Sequence, residues 1–147
     1  MCIRDRGKFH RIINIRLLAN GQFVSDYKAD GLILATPTGS TAYSLSVGGP
    51  VVMPQMKTII VSPVSPHTLA LRPIVLPDDL SLEIQFLEQS KSEIDFAVDG
   101  QVSEYLSPKT KIIVNKADFS TSMITFEDSS YFYTLRRKLG WGKRGNN

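Results

Sequence analysis

The chain has 147 residues, 42% of them hydrophobic and 21% charged, with a formal net charge of +3. That suffices for one domain with its own core, and the mild basicity lacks the basic stripe interleaved with aromatics that marks a nucleic-acid surface. The single cysteine, Cys2, excludes an intrachain disulfide and suits a reducing compartment. With no signal-like N-terminus and no apolar run near the ~20 residues of a membrane span, neither nucleic acid nor membrane is an expected partner, and the cytoplasm is the expected location.

In chain order, Ile13, Ile15 and Leu17 alternate with Ile12, Asn14 and Arg16, the period of a half-buried strand over Arg11 to Leu18. Asn20-Gly21 is a hairpin dipeptide, because both residues tolerate positive φ. Phe23, Ser25 and Tyr27 then alternate with Val24, Asp26 and Lys28 on the return. The apolar run from Leu32 to Ala35 reads as a buried strand. It stops at Thr36-Pro37, where proline removes a ladder donor and pushes its predecessor toward extended geometry. Thr38-Gly39-Ser40-Thr41 sets hydroxyls and open amides ahead of a short helix from about Thr41 to Val47, closed by Gly48-Gly49-Pro50. Such an elbow gathers N–H groups and a positive dipole end, which suits an anion or a polar ligand. The same residues also make an ordinary cap or turn. There is no Walker pattern and no nucleophile elbow.

Beyond the elbow, β-branched Thr58 to Val61 reads as a buried strand. Ser62 to His67, with two prolines, reads as an irregular loop, and Pro73 to Leu76 as a short strand closed by Pro77-Asp78-Asp79. Leu80, Leu82, Ile84 and Phe86 give the cleanest alternation. Ile94, Phe96 and Val98 repeat it before an Asp99-Gly100 turn, with Gln101 to Leu106 returning. Lys111 to Asn115 and Ser122 to Phe126 add two more strands, and Tyr131 to Leu139 is the one long helical candidate. About nine short strands at regular intervals predict a mainly β chain. The expected architecture is a two-layer β-sandwich with one short helix after the elbow and a C-terminal helix.

Asp30-Gly31, the run Thr36-Pro37-Thr38-Gly39-Ser40-Thr41-Ala42-Tyr43-Ser44-Leu45-Ser46 and Gly48-Gly49-Pro50 resemble the NAD-binding segment of the NAD kinases. Pro66-His67-Thr68-Leu69 with Arg72-Pro73-Ile74-Val75, then Asp99-Gly100-Gln101, resemble the same family. So does the ending, Tyr131-Phe132 with Leu135 and Lys138-Leu139-Gly140-Trp141. The likeness runs from about Arg11 to Gly142 in the family's order and spacing.

The resemblance implies phosphoryl transfer from ATP to the 2′-hydroxyl of the adenosine ribose of NAD. It implies Mg²⁺ or another divalent metal bridging phosphate oxygens in the full enzyme, and a homodimer or homotetramer. It also implies NAD-binding roles for Arg11, Lys28, Asp30, Thr38, Thr41, Ala42, Tyr43, Ser44, Leu45, Ser46 and Gln101. Asp30 would meet the nicotinamide side of NAD, often from a neighbouring subunit. Thr41 and Ser46 would offer hydroxyls to ribose or amide, Tyr43 an aromatic face to a base ring, and Ala42 a close approach. Thr38 caps the helix, touches ligand, or both. Leu45 reads as core, although the family's binding segment includes it; Lys28 also reads as the outward face of a strand, and Gln101 as a surface amide. Arg11 aligns with a basic position of the family. His10 and His67 lack the spacing of a metal site.

The family's Gly-Gly-Asp-Gly and Asn-Glu motifs, carried on an N-terminal α/β domain that also holds the donor ATP, do not occur in this sequence. The expectation is therefore a C-terminal domain over 9–142, with a non-native or disordered leader over 1–8 and a flexible tail over 143–147. Met1 to Arg6 matches nothing in the family. Without the Gly-Gly-Asp-Gly carboxylate the isolated chain is expected to be inactive. Two other readings stay open: a lipid kinase of the diacylglycerol or sphingosine type, which would need an apolar acyl pocket, and a non-catalytic β-sandwich that binds a nucleotide or mediates oligomerisation.

Overall fold

Alternating apolar residues close into two facing antiparallel sheets in the first of the chain's two units, Met1–Lys116; the second is Ala117–Asn147. The computed structural model describes residues 1–5, 12–87, 94–122, 124, 126 and 130–140. The strands are β1 (Cys2–Asp5), β2 (Ile13–Ala19), β3 (Gln22–Ala29), β4 (Gly31–Ala35), β5 (Thr58–Val64), β6 (Ile74–Pro77), β7 (Leu82–Phe86), β8 (Ile94–Val98), β9 (Val102–Leu106) and β10 (Ile112–Val114). Between β4 and β5 lie a 3₁₀ turn (Thr38–Thr41) and the single helical turn α1 (Tyr43–Ser46).

One sheet runs β6-β5-β4-β1-β8-β9 and the other β10-β7-β2-β3. Their inner faces share one core. Ile15, Leu17, Leu82 and Ile84 of the smaller sheet and Ile3, Leu32 and Val61 of the larger are fully buried in the same cluster. This is the two-layer sandwich expected. In β4 and β5 the outer face is covered too: Ile33, Ile60 and Ser62 are as buried as the core residues beside them. Both faces are therefore largely buried, which is why Gly31 to Ala35 shows a continuous apolar run rather than alternation.

The Asn20-Gly21 turn forms with φ of 48° and 76°. Asn20 ties it to the start of β7, its amide donating to the Ser81 carbonyl at 2.8 Å and its Oδ1 accepting from the Ser81 amide at 2.9 Å. The β2–β3 register slips between Leu17 and Leu18. This bulge turns Phe23 outward, away from the face that buries Tyr27, and Arg16 stacks 5.4 Å from the Phe23 ring centre.

Four expectations are corrected. Residues 2–5 are not outside the fold: β1 pairs with both β4 and β8, and Ile3 is in the core. Without it, ladder groups of two strands would lack partners. Residues 6–8 and 143–147, and Arg11 and Trp141, lie outside the described residues. Secondly, β5 does not stop before Ser62 but continues through Pro63, opposite Leu32. The missing donor is tolerated because β6 pairs only with Thr58 to Val61, so Pro63 occupies an edge position on that side. Thirdly, the described residues of the segment 122–126 are not strand. Ile124 and Phe126 are largely exposed, and apolar residues without a partner ladder do not make a sheet. The fourth, the break in the helix after the elbow, belongs to the site below.

In the second unit, α2 (Tyr131–Leu139) has the extent its sequence predicts. Ser130 caps it, its hydroxyl accepting from the Tyr133 amide at 3.3 Å. Arg136, Arg137 and Lys138 fill the last turn, where cations suit the dipole, and Gly140 ends it in the left-handed conformation.

Candidate functional site

The elbow is built by a chain that runs out of ladder. After β4, Pro37 adopts helical dihedrals, the Gly39 amide donates to Thr36 Oγ1 at 3.3 Å, and the 3₁₀ turn forms. At Ala42 the backbone leaves helical geometry (φ −93°, ψ −138°) before α1 begins. The expected helix from Thr41 to Val47 is thus two short turns meeting at a kink. Neither start has a side-chain cap, so Thr38 does not cap a helix here.

Several amides expected to be open are used inside the elbow. Ser40 donates to Pro37, Ala42 to Gly39, Leu45 to Ala42, Gly48 to Leu45 and Gly49 to Ser44, at 2.8 to 3.1 Å. A four-residue helix offers no macrodipole of consequence. The elbow presents shape and side chains rather than an anion-binding helix end.

Those side chains face a cleft of about 570 Å³. Its floor is the outer face of the larger sheet, with Ile33 and Ala35 from β4. One wall is the elbow, with Gly39, Ala42, Tyr43 and Ser44, and the other is Asp99-Gly100 at the β8–β9 turn. Met1, Cys2, Leu34, Thr36 and Ala97 complete it. Asp99 and Gly100 both take positive φ, 50° and 69°, and the Gln101 amide closes the turn on the Val98 carbonyl at 3.0 Å. A mostly apolar cleft with a few polar groups, the Thr36 hydroxyl, Tyr43 phenol and Asp99 carboxylate, has the character of a small-molecule site. Tyr43 is 47% exposed, so its ring is free to meet a ligand.

Of the sequence-derived candidates, the cleft brings together Ala42, Tyr43 and Ser44, and the Ser44 side chain is buried with its hydroxyl turned inward to Ser62. Thr38, Thr41, Leu45 and Ser46 belong to the elbow without lining the cleft. Gln101 is exposed beside the lining Gly100. Lys28 and Asp30 are elsewhere: Asp30 precedes β4 and the elbow follows it, and the five residues of β4 alone span about 13 Å. There they form a second cluster with the loop after β5. The Asp30 amide donates to the Val64 carbonyl and the His67 amide to the Lys28 carbonyl, both at 2.9 Å. Thr36, Gly39, Asp99 and Gly100 are lining residues missed as binding candidates. The Asp-Gly dipeptide was visible as a turn, but nothing local says that a turn sixty residues on faces the elbow.

Among the described residues no group of three or more His, Cys, Asp or Glu side chains converges to hold a metal ion. The divalent cation implied for the full enzyme finds no ligand set in them, and no step is assigned to it. No helix in the described residues is long and apolar enough to cross a membrane.

Residues 2–126 match the C-terminal domain of the ATP-NAD kinases, a stretch that includes the elbow, the cleft and both sheets. The chain belongs to that family. It is 42% identical over 140 residues to the NAD kinase of Gemmatimonas aurantiaca, covering 95% of this chain and 48% of the relative. It is 45% identical over 131 residues to that of Bacteroides fragilis, covering 89% and 44%. The fold superposes on yeast NADH kinase in complex with NADH with a TM-score of 0.83 at 29% identity, over 97% of this chain and 44% of that one. An NAD kinase from Archaeoglobus fulgidus in complex with ATP gives 0.70 at 30% identity, over 80% and 44%. The chain therefore spans about half the length of the ATP-NAD kinase relatives it matches, and the fold class and family both agree with the sequence resemblance.

Proposed function

We propose that this chain forms the NAD pocket of an NAD kinase, an enzyme that moves the terminal phosphoryl group of ATP onto the 2′-hydroxyl of the adenosine ribose of NAD. In that reaction a new ribose O–P bond forms, the bond to ADP breaks, and the hydroxyl proton passes to a base. The observation carrying the proposal is the convergence of Tyr43, Ala42 and Asp99 on one cleft beside β4. Family membership and the NADH complex of the yeast neighbour support it.

Within the cleft, the Tyr43 ring stacks on a base, Ala42 lets the backbone come close, and the Asp99 carboxylate and Thr36 hydroxyl bond ribose hydroxyls. Thr38, Thr41, Ser44, Leu45, Ser46 and Gln101 frame the pocket. Asp30 and Lys28 sit at the other end of β4, an arrangement that suits a homodimer or homotetramer in which they serve a neighbouring copy's NAD; Arg11 is a further basic contact. ATP is the donor, Mg²⁺ or a similar cation accompanies it, and the setting is the cytoplasm. The domain occupies 9–142 together with the strand at its N-terminus, and the catalytic base is not supplied by this chain.

NMR titration with NAD tests the placement. Amide signals of 42–46 and 99–101 shift on addition of NAD, and those of the outward Arg16 and Asp26 do not. Shifts confined to Lys109–Lys111, where a second cleft of about 460 Å³ opens on the smaller sheet, would overturn it. Against the lipid-kinase alternative, the residues that line this cleft include the Asp99 carboxylate, which suits a polar ligand better than an acyl chain.

A further inference from the structure

Beneath the elbow lies a knot of buried hydroxyls. Ser40, Ser44 and Ser62 are each 1% exposed or less. Ser40 Oγ accepts from the Val52 amide at 3.1 Å and reaches the Val52 carbonyl at 3.4 Å, acting as a one-residue strand partner to the loop beyond α1. Ser44 Oγ and Ser62 Oγ are 3.1 Å apart. Gly49 closes the knot: its amide donates to the Ser44 carbonyl at 2.8 Å, and a Cβ there would run into Ser44 and Ser62.

Ser62 stands opposite Ile33 on the outer face of β5, and Ile33 lines the cleft. Its neighbours in the strand, Ile60, Val61 and Val64, are apolar and buried. An alanine or valine would fill the same place without burying a hydroxyl, which is unfavourable unless bonded. What the hydroxyl adds is direction. With only four residues, α1 cannot hold itself, and the Ser44–Ser62 bond fixes its rotation. Tyr43 lies one residue before Ser44, about 100° around a helix. Holding Ser44 inward therefore turns the Tyr43 ring toward the cleft.

We infer that Ser62 is a positioning residue for the nucleotide site, acting through Ser44 to set the rotation of α1 and so the aim of Tyr43 and Ala42. This rests on the cleft being the nucleotide pocket.

The test compares Ser62→Ala, Ser44→Ala and the double variant in the full chain. NAD affinity is measured by calorimetry, and amide hydrogen exchange over 42–52 by mass spectrometry. Ser62→Ala weakens NAD binding about three- to tenfold. Exchange quickens over 42–49 while β4 and β5 keep their protection, and the double variant binds no worse than Ser44→Ala alone because both act through one bond. Parental affinity in Ser62→Ala, additive losses, or loosening spread equally through β4 and β5 would overturn the assignment. If the parent binds no NAD, the nucleotide pocket itself is wrong. Exchange then decides the lock alone: faster exchange confined to 42–49 upholds it, and unchanged exchange refutes it.

Discussion

Gly49 marks how tightly the elbow is set against the sheet. A methyl group there would overlap the Ser44 hydroxyl, the Ser44 carbonyl and the Ser62 hydroxyl, two of which belong to the same short turn. Because backbone stands in the way, the cost is that of an overpacked site, about 1–3 kcal/mol. Gly49→Ala is expected to lower the melting temperature by several degrees in a thermal denaturation scan, where the same change at Gly39, whose added Cβ would meet only ordinary contacts at 3.5 and 3.7 Å, costs less. Residues of this kind divide by how local their signal is. Tyr43 was readable from its place in an unbroken motif. Ser62 was not, because the two prolines after it suggested a loop, and only the pairing with Leu32 and Ile33 shows the strand continuing through it. Asp99 announced its turn but not its neighbour across the cleft.

Elements were legible where alternation coincided with a partner. The hairpin of β2 and β3 was read from its period and its Asn-Gly turn, yet the bulge at Leu17/Leu18 was invisible, since inserting one residue leaves the apolar count unchanged. On the outer face of that hairpin Arg16 grips Asp26 with two hydrogen bonds of 2.8 Å. The hydrogen bond from Arg16, helped by its charge and opposed by partial burial, holds the Asp26 carboxyl below its ordinary value. A depressed value means the pair contributes stability at neutral pH and loses it as the pH falls through the folded-state value. Both side chains are about two-fifths exposed, so the effect is small. Asp26→Asn is expected to melt about 2 °C below the parent at neutral pH. The gap should close on acidification, as read from paired melts across the acid range; a gap that widens in acid contradicts the assignment. β1 and the 122–126 segment failed in opposite directions. The first is too short to show a period and gains its strand from two waiting neighbours. The second has the period of a strand, yet its described residues join no ladder.

At the scale of the whole molecule, the sandwich was legible because it is the sum of many alternating segments, and errors at single elements do not change the class. The division at Lys116 was not, because the segment between the strands expected at Lys111 to Asn115 and Ser122 to Phe126 carries no Pro/Gly boundary. The second unit exposes Phe119, Ile124 and Phe126, and the chain spans about half the length of its ATP-NAD kinase relatives. Asp30 lies at one end of β4 and the elbow at the other, so the two do not meet within this chain. The central claim is that NAD binds beside Tyr43. Calorimetric titration of NAD into the purified chain and into Tyr43→Ala tests it most directly. Saturable binding that the substitution weakens about tenfold or more, as loss of a base-stacking ring should, is the predicted result; no heat of binding from a folded chain, or equal affinity in the two proteins, would contradict it.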